Sequence, residues 1–209
     1  MKYDAVVVAS GKGERAKLGY NKVFYRMKNG KTVLENACSL FLEDEDCQNV
    51  IVVTNSESFS DVFSNDKLIL VSGGKERKDS VHNGLNEVRS EYVFIHDGAR
   101  PFLHKEALEE LKREVVDSGA CLLAKAAVDT IKVVKDGFVE KTLDRKTIYL
   151  AETPQCFRSE IIKKAYEDIG DRFFTDDVSL LEELGYRVKV VEDRFENRKL
   201  TKESDFTNI

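Results

Sequence analysis

Three segments of this chain carry residue types suited to phosphate chemistry. Ser10-Gly11-Lys12-Gly13-Glu14-Arg15-Ala16-Lys17 places three basic side chains within six residues, and Lys22 follows shortly after. Glycines let backbone amides approach an anion closely, so the segment reads as a cradle for a polyphosphate; the plainer alternative is a solvated Lys-rich loop. Gly73-Gly74-Lys75-Glu76-Arg77-Lys78-Asp79-Ser80-Val81 again joins glycines to a helix N-terminus, a source of backbone donors. There Ser80 either caps the helix or binds a base or ribose. In His96-Asp97-Gly98-Ala99-Arg100-Pro101, Asp97 is placed to meet a ribose hydroxyl or a magnesium ion, or simply to pair with Arg100.

Context excludes several neighbouring chemistries. Gly11-x-Gly13-x-x-Ala16 fits a loose dinucleotide fingerprint, but that motif needs a helix starting inside it and an acid after the second strand. Gly19 and Asn21 interrupt any such helix, and Thr54-Asn55 follows the second apolar run. No G-x-x-x-x-G-K-[ST] loop is present. Cys38, Cys47, Cys121 and Cys156 form no C-x-x-C pair and read as reduced thiols of a cytoplasmic protein, and His82, His96 and His104 lack zinc spacing. A net charge of -5 argues against a nonspecific nucleic-acid binder. The apolar runs are short of the ~18–20 residues of a membrane span, and the run after Asp4 is too brief for a secretory signal. No membrane or nucleic-acid partner is expected.

The elements that must position these segments alternate in type. Ala5–Ala9, Val50–Val53, Leu68–Val71, Tyr92–Ile95, Ala120–Ala124 and Arg187–Val191 read as strands. Thr32–Leu42, Ser80–Val88 and Lys105–Val116 read as amphipathic helices. A further helix carries Val178, Leu181 and Leu184, with Asp176 or Asp177 as cap and Gly185 at its C-terminal stop. Apolar strands alternating with such helices predict an α/β fold, a mostly parallel sheet covered on both faces. Ligands of these sheets bind beyond the carboxyl ends of the strands. Thr130 to Leu143, built around Asp136-Gly137, breaks the rhythm and predicts a hairpin. It is either a solvated surface hairpin or an arm that embraces a second subunit.

Taken together, these motifs resemble the 2-C-methyl-D-erythritol 4-phosphate cytidylyltransferases of the non-mevalonate isoprenoid pathway. The resemblance rests on Arg15 and Lys22 seven residues apart, Gly73 to Val81, and His96 to Pro101. It continues through Asp129-Thr130-x-Lys132, Thr153-Pro154-Gln155, Thr175-Asp176-Asp177 and Asn197 to Thr201. It implies a Rossmann-like sheet of the nucleotide-diphospho-sugar transferase type with a protruding hairpin. The chain would be one nucleotidyltransferase domain, 1–209, with 127–149 as the arm of a homodimer. It further implies CTP and a sugar-alcohol phosphate as substrates and magnesium as cofactor.

Residue by residue, the resemblance implies that Arg15, Lys22, Arg145 and Lys199 carry the catalytic positive charge. Ala9, Ser10, Gly11, Lys12 and Gly13 would cradle the triphosphate. Gly74, Ser80, Gly98 and Ala99 would meet the cytosine and ribose, with Asp97 on the ribose or near the metal. Thr130, Thr153, Thr175 and Arg100 would bind the sugar phosphate. The nucleophile would be that substrate's own ionised phosphate, so no general base is required. Asn21 stands where the family usually has proline, and Val23 where it usually has glutamine. Two other readings remain open: a ribitol-5-phosphate cytidylyltransferase, and a nucleotide-binding sensor without turnover.

Overall fold

The computed structural model describes residues 1–11, 16, 18–55, 64–168, 170, 174–207 and 209. Lys12, Gly13 and Arg15 lie outside the described residues. The strands are β1 (Tyr3–Val8), β2 (Cys47–Val53), β3 (Leu68–Val71), β4 (Tyr92–Asp97), β5 (Ala120–Ala126), β6 (Lys132–Lys135), β7 (Phe138–Thr142), β8 (Tyr149–Arg158) and β9 (Lys189–Glu192). The helices are α1 (Val33–Glu43), α2 (Arg77–Glu87), α3 (Lys105–Ser118), α4 (Ser159–Glu167) and α5 (Asp177–Glu183).

Among the described residues, one seven-stranded sheet runs in the order β3-β2-β1-β4-β8-β5-β9. β1 pairs in parallel with β2 and β4, and β5 in parallel with β9, while β8 runs antiparallel between β4 and β5. Apolar side chains point both ways from β1 and β4 because both faces are covered. One face packs Val7, Phe94 and Leu123 against Leu34, Cys38 and Phe41 of α1 and Leu108, Leu111 and Val115 of α3. The other packs Val6, Ile95 and Phe157 against Val81 and Leu85 of α2, Ile162 of α4 and Leu180 and Leu181 of α5. All four cysteines are free and buried in this core. No helix among the described residues is long and apolar enough to cross a membrane.

Three local features differ from the sequence reading. The first is β8, with α4 behind it, neither of which the hydrophobic pattern signalled. Tyr149–Arg158 mixes Glu152, Thr153 and Pro154 with apolar residues. Proline has no N–H for a ladder. Pro154 is tolerated because the pairing to β4 reaches only Gln155, and the register with β5 shifts between Leu122 and Ala124. The second is the start of α2, which lies at Arg77. Asp79 accepts from the Glu76 amide at 2.9 Å and ties off the helix entry there. Ser80 is therefore inside the helix and is not its cap. The third is a short 3-10 turn, Lys22–Phe24.

The hairpin forms as expected. β6 and β7 make a separate two-stranded sheet, and Asp136 (φ 51°) and Gly137 (φ 84°) supply the left-handed pair that a tight type I′ turn requires. Val134, Phe138 and Val139 are exposed on it. At the other end of the fold, Asp176 caps α5, accepting from the Ser179 amide at 3.0 Å, and Gly185 takes φ 80° beyond it.

Candidate active site

The carboxyl ends of β1 and β4, the entry to α2 and the C-terminal segment surround a cleft of about 940 Å³. Ala9, Ser10 and Gly11 continue from β1, and Asp97 ends β4. Gly74, Lys75, Glu76 and Arg77 lead into α2, while Lys22 and Lys199 enter from the sides. Asn55, after β2, accepts from the Gly73 amide at 2.8 Å and so ties two of these loops together. The parallel strands thus deliver amide-rich loops and cations to one edge of the sheet, where a polyanion is best received.

Asp97 is the centre of charge in the cleft. Its carboxylate meets Lys199 Nζ at 2.8 Å, Arg77 Nε at 3.6 Å and Arg100 Nε at 3.6 Å. Burial alone would raise its pKa, but Lys199 and Arg77, with Arg100, hold it well below the usual carboxylate range. Arg77 is in turn held by both oxygens of the fully buried Asp177, at 3.0 and 2.8 Å, and Asp177 also accepts from Tyr166 Oη at 2.6 Å. The start of α5 thereby fixes a guanidinium at the start of α2.

Behind Asp97 runs a chain of buried hydrogen bonds. The Asp97 amide donates to Thr153 Oγ1 at 3.0 Å, and Thr153 Oγ1 lies 3.1 Å from His96 Nδ1. His96 Nε2 lies 3.0 Å from the Arg100 carbonyl, which can only accept. Nε2 therefore carries the proton and Nδ1 accepts from Thr153. Burial pushes the imidazole pKa down to about 4, so the ring is neutral near pH 7. Arg100 Nη1 donates to the Asn197 carbonyl at 2.6 Å, and the Leu200 amide to the Ala99 carbonyl at 2.8 Å. These two bonds bracket Lys199 and press its segment against the end of β4.

Residues 3–209 match the family described as 2-C-methyl-D-erythritol 4-phosphate cytidylyltransferase. The chain belongs to this family. A relative of that name from Geobacillus thermodenitrificans is 40% identical, covering 98% of this chain and 94% of its own length. One from Shouchella clausii is also 40% identical, covering 98% and 93%. Among solved structures, the Francisella tularensis 2-C-methyl-D-erythritol 4-phosphate cytidylyltransferase superposes with a TM-score of 0.84 at 31% identity, covering 99% of this chain and 97% of that one. The 4-diphosphocytidyl-2C-methyl-D-erythritol synthase of Anaerococcus prevotii gives 0.85 at 27% identity, covering 98% and 92%. The fold is thus that of the family's nucleotidyltransferases, and the family is one of enzymes.

Measured against the family expectations, Ala9, Ser10, Gly11, Lys22, Gly74, Asp97, Ala99 and Lys199 line the cleft. Ser80, Gly98, Thr153 and Arg100 stand just behind it. The Ser80 hydroxyl donates to the Glu76 carbonyl at 3.1 Å and accepts from the Gly74 amide at 3.0 Å. With its proton so used, the contact to Ser10 Oγ at 2.8 Å has Ser10 as donor. Gly98 packs so closely on β1 that a Cβ there would stand 3.1 Å from both Ala9 Cβ and the Val8 carbonyl. Arg100 is buried and committed to Asp97, Glu152 and Asn197.

Thr130, Arg145 and Thr175 are exposed and do not line the cleft of their own chain. Arg145 lies at the base of the hairpin, donating to the Val128 carbonyl at 2.8 Å. The structure adds Arg77, to which sequence reasoning assigned no role although it lies between the glycines and Ser80. Its signal was the second aspartate of Thr175-Asp176-Asp177, which reads as a helix start and serves as the buried anchor of a guanidinium.

Proposed function

We propose that this chain transfers a cytidylyl group from CTP to 2-C-methyl-D-erythritol 4-phosphate, releasing pyrophosphate and forming 4-diphosphocytidyl-2-C-methyl-D-erythritol. The observation that carries this reading is the family match along residues 3–209. A phosphate oxygen of the sugar alcohol, already ionised at neutral pH, attacks the α-phosphorus of CTP. The bond from that phosphorus to the bridging oxygen breaks, and pyrophosphate leaves with the electron pair. Such a transfer needs placement of the reactants and neutralisation of charge far more than it needs a base.

In this reading the loop after β1 cradles the triphosphate, with Lys12, Gly13 and Arg15 completing it. Arg15 and Lys22 offset the charge that builds on the transferred phosphorus and the leaving group. Lys199 and Arg77, held by Asp97, frame the cleft from the other side. Magnesium bound with the nucleotide would supply further neutralisation of the triphosphate charge. Asp97 is already engaged by three cations, and the described residues hold no cluster of three or more His, Cys, Asp or Glu side chains able to cage an ion. Asp97 and Glu76 are the carboxylates on the cleft wall that would face such an ion, and the bound ion would lower the charge that the incoming phosphate must approach.

The chain acts in this reading as a single cytoplasmic nucleotidyltransferase domain, 1–209, with 127–149 as a dimerisation arm. Exposed Phe138, Val139 and Val134 give the arm apolar surface to bury. Thr130 and Arg145, which stand away from their own cleft, would then serve the partner's site, and Thr175 would join the sugar-phosphate pocket. The test is pyrophosphate release from CTP and magnesium with each acceptor in turn. Release with 2-C-methyl-D-erythritol 4-phosphate supports the proposal; release with ribitol 5-phosphate alone, or no release with any acceptor despite CTP binding, refutes it.

A further inference from the structure

Lys22 occupies a three-residue 3-10 turn, and a turn that short is weakly held by its own backbone bonds. Those bonds run from the Phe24 amide to the Asn21 carbonyl at 3.0 Å and from the Tyr25 amide to the Lys22 carbonyl at 3.1 Å. Val23 is buried against the α1 side of the core, which anchors the turn from below. Asn21 supplies the lateral tie. Its Nδ2 donates to the Ala9 carbonyl at 3.0 Å, and its Oδ1 accepts from the Val23 amide at 3.3 Å. Ala9 directly follows β1, which lies well inside the sheet. One side-chain amide therefore fastens the Lys22 turn to a rigid strand end and to its own second residue.

We propose that Asn21 is a positioning residue that fixes the Lys22 side chain in the cleft beside the Ala9–Gly11 loop. The role rests on the reading of Lys22 as a charge-stabilising group in cytidylyl transfer. A lysine has a long flexible stem, so the placement of its ammonium depends on how firmly its backbone is held. Effects of this kind fall on the rate of the bound complex, because displacement by a fraction of an ångström matters most in the transition state. Asn21 has φ -64° and ψ 117°, an extended cap conformation whose φ a proline ring also imposes. Backbone restriction at this position is thus a second chemical route to the same anchored turn, and it provides a rescue experiment.

The experiment compares the wild-type protein with Asn21→Ala and Asn21→Pro. The readouts are kcat and KM for CTP in the transfer assay, and amide hydrogen exchange at Phe24 and Tyr25. For Asn21→Ala, kcat should fall by about 10-fold or more while KM stays within about twofold, the mark of lost orientation. Exchange at the two amides should quicken by about 10-fold, as expected for losing two modest hydrogen bonds. Asn21→Pro should recover most of both.

A direct role in substrate binding would instead raise KM, and proline would not repair it. Unchanged kcat in Asn21→Ala, a purely KM effect, or unchanged exchange each overturns the proposal. A folded proline variant that repairs neither readout also overturns it; if that variant does not fold, the alanine variant still decides. Should the wild-type protein itself make no product, the proposed reaction fails, whereas the exchange pattern still shows whether Asn21 holds the turn.

Discussion

Asp97 and Lys199 are 102 residues apart in sequence, yet the Lys199 ammonium lies 2.8 Å from the Asp97 carboxylate. The pair joins the end of β4 to the C-terminal segment and lies on the cleft wall. Asp97 also faces Arg77 and Arg100, which keep Asp177 and Glu152 as further partners, so its negative charge is shared among three cations. Asp97→Asn should therefore destabilise the fold by about 3 kcal/mol, the usual consequence of stranding buried charges. Lys199→Met should cost much less stability, because Lys199 is partly exposed and Arg77 and Arg100 remain, yet it should lower kcat/KM by ~10²-fold or more. Urea unfolding and steady-state kinetics on the two variants separate these effects.

Lys22→Ala should reduce kcat by at least ~10²-fold, as for removal of a charge-stabilising donor. The turn itself should survive, since Val23 and Asn21 anchor it independently of the lysine side chain. A near-normal rate would remove Lys22 from the catalytic set.

Two buried groups behind the site titrate in opposite senses. Burial, with the Asp193 carboxylate beside it to accept a hydrogen bond from the protonated form, pushes the Glu152 carboxyl from 4.5 up to about 7. Its contribution to stability is full below pH 4.5 and is lost as the pH rises through 7. His96 is pushed by burial from 6.5 down to about 4, so its contribution is full above 6.5 and is lost as the pH falls towards 4. Between pH 6.5 and 4.5 the two offset each other. Glu152→Gln should expose the histidine, steepening the loss of stability on acidification by up to about 1.4 kcal/mol per pH unit, the value of one proton. Urea midpoints measured from pH 4.5 to 8 should diverge from wild type; parallel curves would contradict the assignment.

Replacing Thr130 to Leu143 with a short turn should yield monomers that retain the fold, because β6 and β7 form their own sheet outside the seven-stranded one. Activity should fall with the loss of the proposed dimer, as Thr130 goes with the hairpin and Arg145 loses its frame. Sedimentation velocity gives the oligomeric state, and an unchanged dimer would refute the arm.

The layered α/β fold was legible because Ala5–Val8, Val50–Val53 and Tyr92–Ile95 are continuous apolar runs between helices of clear periodicity. Asp136-Gly137 announced its turn by the need for two positive φ angles. β8 was hidden because a strand lodged between β4 and β5 can keep Glu152, Thr153 and Pro154 when they satisfy buried partners or fall at a break in register. The cleft-lining loops were legible from glycine and charge. The ties between them were not, since Arg77 with Asp177, and Arg100 with the Asn197 carbonyl, join segments far apart in sequence that no local spacing pairs. The restraint on the Lys22 turn was not legible either, because Asn21 supplies it through side-chain bonds to Ala9 and Val23 that exist only in the folded chain.

The most direct measurement is the 31P spectrum of the protein incubated with CTP, magnesium and 2-C-methyl-D-erythritol 4-phosphate. The account predicts that the acceptor's monophosphate signal and the triphosphate signals decline together. A pair of coupled diphosphodiester resonances and inorganic pyrophosphate should grow in equal amounts. An unchanged acceptor signal under conditions where CTP is bound would contradict it.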